Sequence, residues 1–184
     1  MTILHIDSSV TGSESVSRII TQSIVDKLTA KDPGAVVVRR DLAAEPLDHF
    51  TPAAFADDSV VEEFLAADTI IVGAPMYNFS IPSQLKAWID RIAIAGKTFR
   101  YTEQGPEGLA GGKQVIIASS RGGLYGPDTP QLVFDHQERY LSTLFAFLGV
   151  TDVSFVRAEG VGMGPEARET ALQAAREDAL KLAA

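Results

Sequence analysis

The chain contains no cysteine, which removes disulfides, thiolate nucleophiles, iron–sulfur clusters and cysteine-based zinc sites together. Its three histidines, His5, His49 and His136, are scattered without metal-ligand spacing, so no metal site is expected. Basic residues are in the minority: 16 Lys and Arg stand against 24 Asp and Glu, giving a formal charge of −8 and a pI near 4.8. That sign argues against nucleic acid as a partner, because such binding depends on a basic patch that releases counterions. Acidic surfaces are also ordinary among soluble proteins, so the charge excludes more partners than it names. No apolar stretch approaches the length of a membrane span, and no basic, then apolar leader precedes the strand-like run Ile3-Leu4-His5-Ile6. The expectation is a cytoplasmic protein without a membrane partner.

What is present suits one globular domain across residues 1–184, with 46% hydrophobic and 22% charged residues. Short β-branched runs alternate with helix-period segments from end to end. The predicted strands are Thr2–Ile6, Ala35–Arg39, Thr69–Gly73, Gln114–Ala118 and Val153–Arg157. Ile70-Ile71-Val72 and Val115-Ile116-Ile117 are continuous apolar runs, as parallel strands covered on both faces require. Between them, Val16, Ile19, Ile20, Ile24 and Leu28 keep helical spacing, as do Leu85, Trp88, Ile89 and Ile92. A third set is Leu141, Leu144, Phe145 and Leu148, with Gly149 as its stop; the wider stretch Phe134–Leu148 is rich in aromatics at helical spacing, suited to core or to a subunit surface. The last helix spans about Pro165 to Leu182. Residues 42–58 form a Pro- and Ala-rich connection suited to short helical turns. Five strands alternating with helices predict an α/β, flavodoxin-like, doubly wound parallel sheet of order 2-1-3-4-5, rather than a six-stranded dinucleotide fold.

In such a sheet, ligands bind beyond the carboxyl ends of the strands where the strand order reverses, between the first and third strands. Three loops meet there. The first, Asp7 to Arg18, is rich in hydroxyls and runs into a helix start, where free N–H groups attract anions. It suits a monoester phosphate held by Ser9, Ser15 and Ser17 with the backbone of Val16. Without the P-loop lysine it does not suit a triphosphate, and it lacks Gly-x-Gly-x-x-Gly. The second loop carries Met76, Tyr77, Asn78 and Phe79, flat and soft surfaces for a ring system with an amide for its edge; alternatively Tyr77 and Phe79 fold back into the core. The third, Ser120-Arg121-Gly122-Gly123, lets the backbone approach a planar ligand closely. A phosphate cradle, an aromatic loop and a glycine loop at one crevice fit FMN.

The same residues carry a family resemblance. The serine-rich loop 8–17, Ala-Pro-Met-Tyr-Asn-Phe-Ser-Ile-Pro at 74–82, Leu-Lys-Ala-Trp-Ile-Asp at 85–90, Gly-Lys-Thr-Phe-Arg-Tyr-Thr at 96–102, Gly-Pro-Glu-Gly-Leu at 105–109, Ser-Arg-Gly-Gly at 120–123 and Ala-Glu-Gly at 158–160 occur in order. Across essentially its whole length the chain resembles the FMN-dependent NADH azoreductases, also described as FMN-dependent NADH:quinone oxidoreductases. The resemblance implies that Ser9 and Ser15–Ser17 bind the FMN phosphate and ribityl tail. Met76–Phe79 then line the isoalloxazine, and Ser120–Gly123 contact its edge and face. It implies a homodimer with active sites at the interface. One departure from the family is a connection between about Leu47 and Val60 that is shorter than in many relatives, so pocket depth and substrate preference stay open. It also implies ping-pong kinetics, with NADH giving hydride to the flavin and a quinone or azo acceptor then taking two electrons. No obligatory acid or base side chain is expected, while Phe99 and Tyr101, with Tyr77 and Phe79, are candidate cavity walls. The choice between NADH and NADPH stays open, with Arg100 and Arg121 as cations for a 2′-phosphate.

Three other readings are distinguishable. A flavodoxin-like electron carrier shares the pocket but not steady NADH consumption, and an NADPH-dependent FMN or quinone reductase shares the spacing. A Gly-Asp-Ser type esterase is suggested by Asp7-Ser8-Ser9, but it needs a late Asp-x-x-His, and the last histidine here is His136. Gly160-Val161-Gly162-Met163-Gly164 follows the last strand and reads as a turn before the final helix.

Overall fold

The computed structural model describes residues 1–182. Its seven strands are β1 (Thr2–Asp7), β2 (Val36–Asp41), β3 (Thr69–Pro75), β4 (Phe99–Thr102), β5 (Gly105–Gly108), β6 (Gln114–Ser120) and β7 (Asp152–Ala158). The helices are α1 (Val16–Lys31), α2 (Ser59–Ala66), α3 (Ser83–Ile92), α4 (Glu138–Phe147) and α5 (Pro165–Leu182). Five strands form one parallel sheet in the order β2-β1-β3-β6-β7, the expected 2-1-3-4-5 arrangement once the β4–β5 hairpin is set aside. No helix among the described residues is long and apolar enough to cross a membrane.

The apolar runs explain the layering. Side chains alternate across a strand, so adjacent residues of one run serve opposite layers. Leu4, Ile6, Ile70, Val72, Val115 and Ile117 face α2, α3 and α4 through Phe64, Leu85, Trp88, Leu141 and Phe145. Ile3, Ile71, Ile116 and Val156 face α1 and α5 through Ile20, Ile24, Leu172 and Ala175.

Each predicted strand is present, and every one runs past its predicted end. At the carboxyl ends, pairing continues through Ala74 opposite Ser119 and Pro75 opposite Ser120, where the apolar signal has already stopped. The connection 42–58 holds one 3₁₀ turn, Pro52–Ala56.

Two features differ from the sequence expectation. Phe134 is not on the helix that its spacing suggested: Pro130–Phe134 is a separate 3₁₀ turn, and α4 begins only at Glu138. The reason is Asp135, whose Oδ1 accepts hydrogen bonds from the N–H groups of Gln137 and Glu138, both at 3.0 Å. The antiparallel hairpin β4–β5 was not among the expected strands. It leaves the end of α3 and returns to the start of β6, so it lies at the amino ends of the parallel strands.

Gly149 does stop α4. It takes φ +88°, while its N–H reaches the Ala146 carbonyl at 3.0 Å and the Val150 N–H reaches that of Phe145 at 2.9 Å, the two bonds of a Schellman cap. The hairpin docks on this cap. A Cβ on Gly108 would lie 2.1 Å from the Gly149 nitrogen, so the two backbones touch directly.

Candidate functional site

β1 lies between β2 and β3, which places the order reversal beside the loops that leave β1, β3 and β6. All three loops are tied to one another. Ser8 Oγ donates to the Gly73 carbonyl at 2.6 Å, and the Met76 N–H donates to the Ser120 carbonyl at 2.8 Å.

In the first loop, Ser15 is the N-cap of α1, its hydroxyl accepting weakly from the Arg18 N–H at 3.4 Å. Ser15 Oγ and Ser17 Oγ are 3.0 Å apart, and both residues are buried. Nearby, Ser9 Oγ lies 3.0 Å from Thr11 Oγ1 and 3.2 Å from the Tyr77 hydroxyl, which also accepts from the Val10 N–H at 3.3 Å. Counting hydrogens shows a surplus of donors. Two hydroxyls share one bond in the first cluster, and three hydroxyls share two bonds in the second, so each cluster keeps one O–H without an acceptor among the described residues. The Val16 and Ser17 N–H groups, in the first turn of α1, likewise have no partner among the described residues. An anion satisfies such a set.

The loop is held from behind by Arg18, which sequence reading did not single out. Its guanidinium donates to the Ser9 carbonyl through Nη2 at 2.9 Å and grips both Asp41 oxygens at 2.6 and 2.7 Å. That hydrogen-bonded grip pushes the Asp41 carboxyl down to about 2, with help from the Ala44 and Ala43 N–H groups. Asp41 in turn raises Arg18. Arg18 follows the serines closely in sequence, but its partner stands at the end of β2, so no local pattern marks the pair.

In the second loop, Tyr77 and Ser80 exchange backbone bonds of 2.9 and 3.1 Å around Asn78 and Phe79, at φ 49° and 70°. This is a tight turn of the mirror-image kind, with two central residues in the left-handed region. Asn tolerates that region; Phe does so at a cost of roughly 1–2 kcal/mol. Strain of this kind collects at functional sites. Phe79 is 46% exposed, so it is not folded into the core, while Tyr77 is half-buried against Ser9. Met76 is half-buried at the base of the turn.

In the third loop, Ser120 is buried and Arg121 is turned wholly inward at 1% exposure. Its guanidinium meets Asp135 at 2.9 Å, Glu138 at 2.5 Å and Glu159 at 3.2 Å, and its Nε donates to Ser119 and Gln137. The side chain read in sequence as a contact at the ligand's edge is therefore spent on the interior. The carbonyls of Arg121, Gly122 and Gly123 accept from the N–H groups of Val161, Gly162 and Gly160 at 2.9–3.0 Å. The glycine-rich run 160–164 is thus a clamp on this loop. With the carbonyls engaged, the Gly122 and Gly123 N–H groups have no partner among the described residues.

Phe99 and Tyr101 are not brought to this crevice. They sit on the β4–β5 hairpin at the other end of the sheet, Phe99 against Phe147 with ring centroids 4.6 Å apart, Tyr101 75% exposed. Arg100 on the same hairpin is paired with Glu107 at 2.7 Å. Beside Tyr77 and Asn78, in contrast, a cleft of about 790 Å³ opens, lined also by Val10, Phe50, Ile81 and Tyr140. Burial, with the charge of Asp90, raises the Tyr140 phenol to about 12. Phe50 and Tyr140 were not anticipated from sequence, since Phe50 lies in the connection that leaves β2 and Tyr140 on α4, outside the three loops expected to converge. No group of three or more His, Asp or Glu suited to a metal occurs among the described residues.

Surplus O–H and N–H donors at a helix start, a strained aromatic turn and a pair of free glycine N–H groups are what a phosphate-bearing planar ring compound such as FMN requires. Known proteins point the same way. The family model described as flavodoxin-like fold matches residues 1–183. A protein of Ralstonia nicotianae called FMN-dependent NADH:quinone oxidoreductase is 53% identical over 95% of this chain and 93% of its own length. Its namesake in Sinorhizobium fredii is 53% identical over all of both chains, in 206 aligned positions. Among solved structures, an azoreductase from Bacillus anthracis str. Sterne superposes with a TM-score of 0.91 at 27% identity, covering 100% of this chain and 98% of that one. An FMN-dependent NADH-azoreductase from Bacillus anthracis str. Ames Ancestor, solved in complex with FMN, gives a TM-score of 0.86 at 25% identity over 100% of both chains.

Proposed function

The chain belongs to the flavodoxin-like family and, within it, to the FMN-dependent NADH:quinone oxidoreductases, and on that premise we propose that it binds FMN and carries two electrons from NADH to quinones and aromatic azo compounds. Bound FMN supplies the hydride chemistry, and the chain supplies binding, orientation and electrostatics. The observation that carries the reading is the donor surplus around Ser9, Ser15 and Ser17.

In this reading Ser9, Ser15, Ser17 and the Val16 N–H hold the phosphate, with Arg18 keeping their loop in place. Met76, Tyr77, Asn78 and Phe79 line the ring. The Gly122 and Gly123 N–H groups face its polar edge, where preorganised donors stabilise developing negative charge. Ser120 and Arg121 serve from behind, through the Met76 N–H and the acidic residues respectively. Donor and acceptor use one crevice in turn, which gives ping-pong kinetics. The cations once considered for a 2′-phosphate are engaged: Arg100 by Glu107, Arg121 by three carboxylates. That favours NADH over NADPH.

Phe99 and Tyr101 reach an acceptor only from a second copy, because their hairpin lies at the far end of their own sheet. A homodimer with its crevices at the interface accounts for the exposed Tyr101 ring.

The test is equilibrium titration of flavin-free protein with FMN and with riboflavin, followed by flavin fluorescence. FMN binds far more tightly, and Ser17→Ala weakens FMN by about tenfold, the loss of one charge-assisted hydrogen bond, while riboflavin binding stays the same. Equal affinity for the two flavins contradicts the phosphate cradle.

A further inference from the structure

Of the three loops, the first has the least to hold it. Its 3₁₀ turn, Gly12–Glu14, has no buried residue, and Gly12 stands at φ +58° with open space around the place a Cβ would take. Arg18 grips the earlier half of the loop, through the Ser9 carbonyl. The later half delivers Ser15, Val16 and Ser17 to the cradle, and it has one tie from outside. Arg168 Nη2 donates to the Glu14 carbonyl at 2.8 Å, across a sequence separation of 154 residues. Among the described residues, no other hydrogen bond reaches residues 12–14 from beyond this loop and α1.

Arg168 itself stands on fixed ground. It lies in the first turn of α5, where its N–H closes on the Gly164 carbonyl at 3.0 Å. Leu172 and Ala175 of the same helix share a core with Ile20 and Ile24 of α1. Just before it, Gly160, Val161 and Gly162 donate to the carbonyls of Gly123, Arg121 and Gly122. The segment from Gly160 to Arg168 therefore holds two of the three loops, the third by its backbone and the first by one guanidinium. That guanidinium is also free of carboxylates. Arg18, Arg100, Arg121 and Arg157 are each paired with an acidic residue, whereas Arg168 makes no ion pair among the described residues. In a chain of net charge −8, an unpaired cation bonded to the loop that carries surplus donors complements an anion there.

We propose that Arg168 is a positioning residue for the phosphate of the flavin: through the Glu14 carbonyl it fixes the turn that presents Ser15–Ser17, and its charge favours an anion beside them. This rests on the flavin reading above. A bond from a guanidinium to a carbonyl is charge-assisted and stronger than a neutral one. Without it the exposed turn is loose, and a phosphate has to order the turn as it binds, at a cost in affinity. The ring of the flavin, held in that reading by the other two loops, is not affected. The signature of Arg168 is therefore confined to a flavin that carries a phosphate.

The experiment titrates flavin-free wild type, Arg168→Ala and Arg168→Lys with FMN and with riboflavin, followed by flavin fluorescence, and unfolds the same samples in urea. Arg168→Ala weakens FMN by about fivefold, the order of one charge-assisted bond that is partly open to water. Its riboflavin affinity and its urea midpoint stay at wild-type values. Arg168→Lys keeps the charge and a donor for the single bond, and holds FMN to within about twofold of wild type. The proposal is overturned if Arg168→Ala binds FMN like wild type, or if Arg168→Lys is as weak as Arg168→Ala. It is equally overturned if riboflavin affinity or the urea midpoint falls in parallel with FMN affinity, which makes Arg168 a brace for the fold at large. A wild type that binds the two flavins equally removes the phosphate cradle and this proposal with it. Discrimination that is present in wild type and survives in Arg168→Ala removes this proposal alone and leaves the cradle standing.

Discussion

Arg121 shows how a single residue organises a site that it does not touch. Its motif, Ser-Arg-Gly-Gly, was legible in sequence, but the direction of its side chain was not, because Asp135, Glu138 and Glu159 come from other segments. Five planar donors satisfy these partners together; a lysine offers one point charge. Arg121→Lys should therefore cost about 2–4 kcal/mol in urea denaturation of the flavin-free protein, since it leaves the buried Asp135 carboxylate and the half-buried Glu138 and Glu159 short of donors. An unchanged midpoint contradicts the inward role. Arg18 and Asp41 form a second such device with a pH signature. The native Asp41 carboxyl sits at about 2 against an ordinary 3.8. The stability it contributes is complete above the ordinary value and is lost as pH falls through about 2. The difference in Tm between wild type and Asp41→Asn should accordingly stay constant down to about pH 4 and shrink below it. The pair is partly exposed, so the difference is modest. A pH-independent difference shows that the grip on Asp41 does not stabilise the fold.

At the scale of elements, the sheet was legible because Ile70-Ile71-Val72 and Val115-Ile116-Ile117 have to be buried on both sides. The ends were less legible. Ser119, Ser120 and Pro75 look like loop, yet their backbones keep the ladder and so carry the loops to the crevice. The β4–β5 hairpin was hidden for another reason: Phe99–Thr102 and Gly105–Gly108 are short and bury no alternating face. What fixes the hairpin is backbone contact between Gly108 and Gly149, which leaves no pattern beyond the glycines themselves. Gly108→Ala forces a Cβ to within 2.1 Å of the Gly149 nitrogen, and neither backbone can move aside cheaply. The expected loss is about 2–3 kcal/mol by denaturant unfolding, with faster proteolysis between residues 97 and 110. Gly34→Ala, whose Cβ makes only an ordinary 3.4 Å contact with Asp32, is the matched control and should be near neutral. Equal behaviour of the two variants removes the docking argument.

At the scale of the whole molecule, strand order does the work that no single loop does. Each loop taken alone has an ordinary explanation: a polar cap, core aromatics, a flexible glycine turn. The order β2-β1-β3-β6-β7 brings them to one end of the sheet, and there the loops that carry the unsatisfied donors and the strained turn are tied to one another. The same topology sends Phe99 and Tyr101 to the opposite end, which sequence alone did not reveal. The measurement that tests the central claim most directly is the initial rate of NADH oxidation, with and without added FMN, at several fixed concentrations of 1,4-benzoquinone. An FMN-dependent oxidoreductase working through one shared crevice gives no turnover without FMN and parallel double-reciprocal lines with it. Tight FMN binding without NADH oxidation contradicts the enzyme and leaves an electron carrier in its place.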